Sequence, residues 1–290
     1  MINASKEIIR YFFTVGILLS VLFPASIRAE ELRLTITNDQ KNAAQKYKPL
    51  LDYLAKKGTT VAYVDAKDYP AAASLFAKSS VDAMFCGSGV AGAFMISELA
   101  VPLVRPVTVD GYSTYWAVII APKGSPAFAG SAEYFKNKRV IFTSMASSGE
   151  FYFQSLPNSA DMNATRIKAE SHGDAIESLD KGRADIAIVK NRVWDSVKQK
   201  YPNLAMVGED RGENPDGTLI VSETMPLSMR AKLSADLLAI QNDPSPEAQA
   251  VKSGMKISGF IKTTPQDFEH TLALLHKAGI NKSLLFGNKP

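Results

Sequence analysis

The chain has 290 residues, of which 46% are hydrophobic and 21% are charged, and its 33 basic side chains nearly balance 29 acidic ones. This composition excludes disorder, collagen and coiled coil, and the length favours two domains. The single cysteine, Cys86, excludes an internal disulfide and a cysteine-based zinc site. With only three histidines as further ligands, we expect neither a metal nor a cofactor.

The first 29 residues have the features of a secretory signal peptide. Lys6 and Arg10 precede an apolar run of 13 residues, Tyr11–Phe23, and a short tail ends at Ala29. A membrane anchor is the alternative, but a span needs about 20 residues, and no cysteine for lipid attachment follows the run. Cleavage after Ala29 removes three basic side chains and one acidic one, which leaves a net charge of +2. A charge so close to zero gives no basis for nucleic-acid binding.

The mature chain alternates short apolar runs with helical patterns, which is typical of α/β units around largely parallel sheets. In the first half, the predicted strands are Leu32–Thr37, Thr60–Val64, Val81–Phe85 and Val101–Pro106. The predicted helices between them are Tyr47–Lys57, Tyr69–Lys78 and Val90–Leu99.

A second series of α/β units begins at Tyr115. Its predicted strands are Tyr115–Ala121, Arg139–Phe142, Thr165–Ala169, Ile186–Val189 and Leu204–Gly208. Its predicted helices are a short one at Ser131–Phe135, one from Gly149, and those at Asp174–Lys181 and Arg192–Lys200. A polar loop, Asp210–Gly217, and a strand, Thr218–Ser222, follow. The remainder is predicted to be wholly helical, over Ser228–Asn242, Glu247–Met255 and Pro265–Ala278.

Three turns follow a strand and precede a helix, which is where open α/β sheets bind ligands: Asn38–Asn42, Cys86–Gly89 and Thr143–Gly149. The third turn carries four hydroxyls and a glycine at a helix start, a combination that suits an oxyanion. Ser147 and Glu150 can instead form a capping box, in which the serine only satisfies its own helix. Both interpretations stay open.

Three further features each have a functional and a purely structural interpretation. The Cys86-Gly87-Ser88-Gly89 turn repeats the serine and glycine arrangement, with Ser88 as an ordinary cap in the alternative. His172 lies between a predicted strand and helix, where an imidazole can donate to a ligand oxygen or bond within the helix start. Tyr112, Tyr115 and Trp116 cluster where the halves meet, as core residues or as the lining of a cleft.

No catalytic set is recognisable in the sequence. Ser148, His172 and Asp185 could be combined into a triad, but there is no Gly-x-Ser-x-Gly elbow to support it. Walker and Gly-x-Gly-x-x-Gly loops are also missing. We therefore expect a protein that is not an enzyme.

Over nearly the whole mature chain, these features resemble the phosphonate-type periplasmic substrate-binding proteins of ABC transporters, which have the type II periplasmic binding fold. The resemblance is carried by stretches that begin at Tyr47, Val81, Tyr115, Ser147 and Ser171, in this order and spacing. They read Tyr-Lys-Pro-Leu-Leu-Asp-Tyr-Leu, Val-Asp-Ala-Met-Phe, Tyr-Trp-Ala-Val-Ile-Ile-Ala-Pro-Lys-Gly-Ser-Pro, Ser-Ser-Gly and Ser-His-Gly-Asp-Ala-Ile-Glu-Ser-Leu-Asp-Lys-Gly-Arg-Ala-Asp-Ile-Ala.

The resemblance implies an α/β protein of two lobes with a ligand cleft between them. The first lobe would comprise residues 30–114 and 221–290, and the second residues 115–220. Crossovers would lie near Thr114–Trp116 and Leu219–Val221. The expected partners are a small phosphorus oxyanion and a permease in the inner membrane, and we expect a periplasmic monomer. By position, the resemblance assigns the oxyanion to Thr143, Ser144, Ser147, Ser148 and His172. We also expect Asn38, Ser88, Tyr115 and Gly149 to bind the ligand.

The sequence departs from the family pattern at three points. Glu150 places a carboxylate in the first turn of the helix that should attract the anion. Lys190 stands where similar proteins often carry an acidic residue facing an amine, and the Gly87-Ser88-Gly89 turn lacks a nearby aromatic residue. A simple oxyanion (phosphonate, phosphite, phosphate or a phosphate ester) is therefore favoured over an aminoalkyl phosphonate.

Three functions remain open at this point. The first is a transport receptor, and the second is a sensory protein of the same fold that partners a membrane kinase or receptor. A secreted hydrolase is the third. Because no arginine or lysine cluster accompanies the turns, we predict that neutral donors hold the anion.

Overall fold

The computed structural model describes residues 31–36, 43–143 and 147–280. The predicted signal peptide and two of the expected ligand-binding residues, Asn38 and Ser144, lie outside the described residues. Within the described part of the chain, no helix combines the length and the apolar character that a membrane span requires.

The described chain alternates strands and helices, as the sequence predicts. The strands are β1 (Leu32–Ile36), β2 (Val61–Tyr63), β3 (Ala83–Cys86), β4 (Ala100–Thr108), β5 (Thr114–Tyr115), β6 (Ala117–Pro122), β7 (Arg139–Thr143), β8 (Thr165–Ala169), β9 (Ile186–Lys190), β10 (Leu204–Glu209), β11 (Asn214–Pro215), β12 (Thr218–Ser222) and β13 (Ile257–Lys262). The α-helices are α1 (Ala43–Lys56), α2 (Tyr69–Ala77), α3 (Ser88–Ile96), α4 (Ser148–Ser155), α5 (His172–Asp180), α6 (Asn191–Val197), α7 (Leu227–Ala239), α8 (Pro246–Met255) and α9 (Glu269–Lys277). Short 3-10 helices occur at Ala132–Phe135, Ser159–Met162, Lys198–Lys200 and Pro265–Phe268.

Two larger sheets and one two-stranded ribbon organise these elements. The six-stranded sheet has the order β13-β4-β12-β3-β1-β2, and the five-stranded sheet has the order β10-β6-β9-β7-β8. Buried apolar residues cover both faces of each sheet, as in the clusters around Leu34 and Met84 in the first and around Ile141 and Ile119 in the second. Such double-sided burial explains the continuous apolar runs of these strands.

The sheets are mixed, so the expectation of largely parallel sheets is wrong. β1 pairs in parallel with β2 and β3, and β7 with β8 and β9. All pairs made by β6, β10, β12 and β13 in these sheets are antiparallel. Periodicity reports which residues are buried but not strand direction, so it missed this reversal.

The chain passes between the sheets at the ribbon formed by β5 and β11. Asn214 pairs with Tyr115, and Pro215 pairs with Thr114, in antiparallel register. The first crossover therefore lies where the resemblance implied. The second lies at Asn214–Pro215, inside the predicted loop, whereas Leu219–Val221 is part of β12 in the six-stranded sheet.

The strand β13 contradicts the prediction that the chain is wholly helical after Ser222. β13 pairs with β4 at the edge of the six-stranded sheet. Gly259 interrupts its apolar pattern, and a Cβ there would lie 2.7 Å from the Cβ of Gln241. Glycine at this position thus permits close packing of the turn after α7. It also interrupts the alternation of apolar and polar residues by which a strand is recognised in a sequence.

Candidate ligand-binding cleft

A cavity of about 430 Å³ lies between the two larger sheets. Strand ends β3, β7 and β9, the helix starts that follow them, and the ribbon all contribute to its walls. Six of the expected ligand-binding residues line it: Ser88, Tyr115, Thr143, Ser147, Ser148 and His172. The sheet-edge rule thus brings residues far apart in the chain into one site.

The start of α4 is both a helix cap and a wall of the cavity, so the two interpretations of the serine turn are compatible. Ser147 is the N-cap, and its Oγ accepts a hydrogen bond from the backbone N–H of Glu150 at 3.2 Å. An accepting hydroxyl still has its own proton to donate. Ser148 is buried beside it and also lines the cavity. The first-turn N–H groups of the helix and the dipole add to these donors.

Glu150 does not face the cavity. Its Oε1 accepts a hydrogen bond from Gln154 Nε2 at 3.3 Å, one turn further along α4, and it is not among the lining residues. The Glu150 carboxylate, which the sequence places in the first turn of the helix expected to attract the anion, therefore points along the helix toward Gln154.

Gly149 also has a packing role that the sequence did not predict. It is buried and is not among the residues that line the cavity. A Cβ at this position would lie 2.8 Å from Ile188 Cγ2 and 3.0 Å from the Ile188 carbonyl oxygen. The glycine therefore lets α4 begin directly against β9, which fixes where Ser147 and Ser148 stand.

The buried imidazole of His172 is held as a neutral hydrogen-bond donor. The backbone N–H of Lys190 donates to its Nδ1 at 3.3 Å. An accepting Nδ1 places the proton on Nε2, since a neutral imidazole has one nitrogen of each kind. Burial, and secondarily the charge of Lys190, hold the pKa of His172 well below its usual value. His172 thus contributes an N–H to the cavity without a charge.

On the opposite wall, the Gly87 N–H and the Ser88 hydroxyl at the start of α3 have partners within the protein. The backbone N–H of Gly87 donates to the Tyr69 hydroxyl at 3.0 Å. Ser88 Oγ and the Tyr115 hydroxyl are 2.7 Å apart, both buried. The prediction that this turn has no aromatic residue nearby is therefore wrong, because the Tyr69 side chain, at the start of α2, contacts the turn.

Cationic side chains accompany the neutral donors, contrary to the prediction that no such cluster exists. Lys190 Nζ lies 2.7 Å from Asp216 Oδ1, and Arg192 Nη2 contacts Asp216 Oδ2. Lys190 Nζ also lies 4.4 Å from the centroid of the Tyr115 ring, a cation–π distance. We call Lys190 and Arg192 the cation pair, and Asp216 its carboxylate.

The positions of Lys190 and Arg192 at the cleft could have been predicted from the sequence. They flank the turn from β9 to α6, which obeys the same strand-then-helix rule as the serine turn. Asp216 follows the ribbon and is brought to them only by the fold. With Lys46, Lys256 and Glu170, the described cavity lining contains four cations and two carboxylates. Because His172 is neutral, the net charge of this lining is +2.

The cavity shows no arrangement for chemistry. Among the residues that the structure describes, no group of three His, Cys, Asp or Glu side chains could hold a metal ion. Cys86 lines the cavity, but burial raises the pKa of its thiol far above the usual value, so it is not a thiolate. The triad considered above is not formed either, since Asp185 pairs with Arg139 at 2.7 Å.

The other two aromatic residues of the cluster at the crossover do not line the cavity. Trp116 Nε1 donates to Glu209 at 3.0 Å, and Tyr112 is exposed. Of that cluster only Tyr115 faces the cavity.

The chain matches one known protein family over most of its length. Residues 34–268 match the family described as the periplasmic phosphonate substrate-binding protein of ABC transporters. No curated protein matches the chain in a sequence comparison.

Solved structures of this fold match almost the whole chain at low identity. XAC2383 from Xanthomonas citri, bound to chloride, is 20% identical with a TM-score of 0.70, over 86% of this chain and 97% of that one. PhnD1 from Prochlorococcus marinus, in complex with methylphosphonate, is 15% identical with a TM-score of 0.69, over 87% and 99%. A binding protein of a phosphonate ABC transporter from Pseudomonas aeruginosa is 16% identical with a TM-score of 0.61, over 85% and 86%. These likenesses show the fold, a type II periplasmic binding protein.

Proposed function

The chain belongs to the family of periplasmic phosphonate substrate-binding proteins of ABC transporters, and from this premise we propose that it binds a small phosphorus oxyanion in the cleft and delivers it to an inner-membrane permease. Members of this family bind without chemistry. The candidate ligands are phosphonate, phosphite, phosphate and a phosphate ester. The sensory alternative is not favoured, because the family match is to a transport component.

The start of α4 is the observation that carries this proposal. Ser147, Ser148 and Thr143 present hydroxyl groups beside the first-turn N–H groups, and His172 presents a neutral N–H. Neutral donors at a helix N-terminus suit a tetrahedral oxyanion, because each donates to a different oxygen. Lys190 adds positive charge to the lining of the same cavity, which favours an anion over a neutral ligand.

We further propose the two-lobed organisation in which ligand closes the cleft. The proposed lobes are those predicted from the sequence, residues 30–114 with 221–290 and residues 115–220. Their second boundary is moved from residue 220 to the ribbon at Asn214–Pro215. The β5–β11 ribbon supports a hinge there, since both connections pass through it. A monomer that is secreted through cleavage near Ala29 remains part of the proposal.

A thermal-shift screen of the mature protein tests the ligand class. Methylphosphonate, phosphite, phosphate and glycerol phosphate are compared with sulfate and chloride. A ligand present at 100 times its Kd adds about 2.7 kcal/mol to stability. We expect at least one phosphorus oxyanion to raise the Tm at concentrations where sulfate does not, and equal responses to all anions would contradict the proposal.

Calorimetric titration of Ser148→Ala with the best ligand tests the site. Loss of one donor to a charged oxygen costs about 1.5–3 kcal/mol, which corresponds to a ten- to hundredfold loss of affinity. Ser159→Ala is the control, because the Ser159 hydroxyl donates to the Gln154 carbonyl beyond the cavity. Equal affinities of the two variants would mean that the serine turn only caps its helix. Hydrolysis of a phosphate ester by the wild type would instead indicate an enzyme.

A further inference from the structure

The cation pair and its carboxylate carry unequal charge. Lys190 and Arg192 both bond to Asp216, which supplies one negative charge for two positive ones. All three side chains are about one-fifth exposed, so water screens them only partly. One positive charge therefore remains without a counter-charge in this trio, at the wall of the cavity.

The hydrogen bonding of Arg192 is incomplete within the described residues. Its Nε is buried and has no hydrogen-bond partner among the described residues. A guanidinium is matched by a carboxylate or phosphate that accepts two parallel hydrogen bonds. Burial lowers the pKa of Arg192, as expected of a cation whose lost hydration is incompletely replaced.

The cation pair is separate from the neutral donors that we assign to the phosphorus oxyanion. The Lys190 backbone is bonded to His172, but its side chain extends to Asp216 and lies over the Tyr115 ring. A ligand with one oxyanion at the start of α4 could therefore reach the cations through a second group. The cavity volume of about 430 Å³ leaves space for a substituent, since one water occupies roughly 30 Å³.

We infer that Lys190 and Arg192 select phosphonates or phosphate esters whose substituent carries a second anionic group, a carboxylate in the simplest case, and reject those with an ammonium group. This inference rests on the proposed function and names the substrate class for the same cleft. An ammonium at this end would face Lys190 and Arg192, and Asp216 is already bonded to both. Glu170 is the other carboxylate of the described lining, against four cations.

Titration calorimetry of the mature wild-type protein with four compounds tests the inference. Methylphosphonate has no charged substituent, phosphonoacetate carries a carboxylate, 2-aminoethylphosphonate carries an ammonium, and malonate carries carboxylates without phosphorus. We expect phosphonoacetate to bind at least about tenfold more tightly than 2-aminoethylphosphonate, because one charge-assisted hydrogen bond is worth that factor or more.

The outcomes separate this inference from the function on which it rests. If methylphosphonate binds and 2-aminoethylphosphonate binds as tightly as phosphonoacetate, the inference is overturned and the proposed function stands. If malonate alone binds, or none of the four compounds binds, the inference is overturned. The proposed function is overturned as well if phosphite, phosphate and glycerol phosphate also fail to raise the Tm in the thermal-shift screen.

Two variants with opposite expected signs show whether charge is the cause. Arg192→Gln should reduce the ratio of phosphonoacetate affinity to methylphosphonate affinity about tenfold. Asp216→Asn should raise that ratio, because it frees both cations for the ligand. Arg211→Gln is the control, since Arg211 is exposed and pairs with Glu209 away from the cavity. A fall of the ratio in both cleft variants would indicate a structural role and would overturn the inference.

Discussion

The two helices that begin at the cleft use their first turns differently. In α3, the Gly87 N–H is bonded to Tyr69, and the Ser88 hydroxyl is bonded to Tyr115. In α4, Ser147 accepts one hydrogen bond from its own helix, and the hydroxyl protons of Ser147 and Ser148 are left to donate. The sequence of both turns combines glycine and serine after a strand, yet the Ser88 hydroxyl has a protein side chain as its partner, whereas we propose a ligand for the hydroxyls of Ser147 and Ser148.

The difference shows that partners, rather than residue types, decide what a turn can bind. Hydrogen bonds between buried groups keep the α3 wall fixed with or without a ligand. In the proposed function, donors at α4 gain their partners when an anion binds, and this gain is the expected source of affinity. The expected effects of substitutions on the two walls therefore differ in kind: stability on the first, and affinity on the second.

The largest expected effect comes from Gly149→Ala, because it moves the whole binding wall. Its Cβ would meet the side chain and backbone of Ile188 at 2.8 and 3.0 Å. Overpacking of this kind costs about 1–3 kcal/mol. Denaturant unfolding should show that loss, and calorimetry should show weaker binding, because the start of α4 must shift.

Gly173→Ala is the matched control for that substitution. Gly173 is the second residue of α5, as Gly149 is of α4, but a Cβ there would lie 3.6 Å from Ser171 Oγ, an ordinary contact. Alanine in a helix is favoured over glycine by about 0.5–1 kcal/mol, so this variant should be unchanged or more stable. Equal losses in both variants would refute the packing argument.

The buried His172, the first residue of α5, predicts a pH dependence of the stability. Its folded-state pKa is held well below the usual value by burial and by Lys190, whereas the unfolded state takes up a proton below about pH 6.5. Since the unfolded state then binds more protons, stability falls as pH falls through this range, by up to about 1.4 kcal/mol per pH unit.

The His172→Asn variant isolates this contribution. The asparagine oxygen can accept the Lys190 N–H in place of Nδ1, but it does not titrate. His270 and His276 are present in both proteins and cancel in the difference. We expect the wild type to lose more unfolding free energy than the variant between about pH 7.5 and about pH 5.5, and parallel profiles would contradict a buried neutral histidine.

Most of the fold could be predicted from the sequence, because buried strands and amphipathic helices leave a periodic pattern. Thr165–Ala169 and Thr218–Ser222 have the predicted bounds. β13 was missed because Gly259 breaks its pattern, and the ribbon was missed because two residues leave no period at all. Strand direction depends on the path of the chain between sheets, which periodicity does not contain.

The site was predictable where it follows from the strand-then-helix rule, and less so where it depends on tertiary contacts. Ser148 and His172 were located by that rule, and both line the cavity. Lys190 obeys the rule too but was interpreted only by comparison with relatives. Asp216 and Tyr69 reach the cleft from elements distant in sequence, so their contacts with Lys190 and Gly87 had no local signal.

A smaller effect is expected from removing the cap of α4, and Ser245 offers a matched control for it. Ser147 and Ser245 are both N-caps that accept from the third residue of their helix, at 3.2 and 3.3 Å. Ser147→Ala and Ser245→Ala should each lower the unfolding free energy by about 1 kcal/mol. Only Ser147→Ala should also weaken ligand binding in calorimetry. If both or neither changed the affinity, Ser147 would be a cap without a role in binding.

The smallest effect on affinity is expected from Ser88→Ala, the counterpart of Ser148→Ala on the opposite wall. Both serines are buried first residues of cleft helices, but the Ser88 hydroxyl is bonded to Tyr115 at 2.7 Å. Its removal leaves a buried tyrosine hydroxyl without that partner, which costs about 1–3 kcal/mol of stability. Affinity should change less than about threefold, which is under 0.7 kcal/mol, because the lost bond joins two protein groups and none to the ligand. A loss of affinity as large as that of Ser148→Ala would show that ligand exchanges with Tyr115 for the Ser88 hydroxyl, and the two walls would then bind the anion alike.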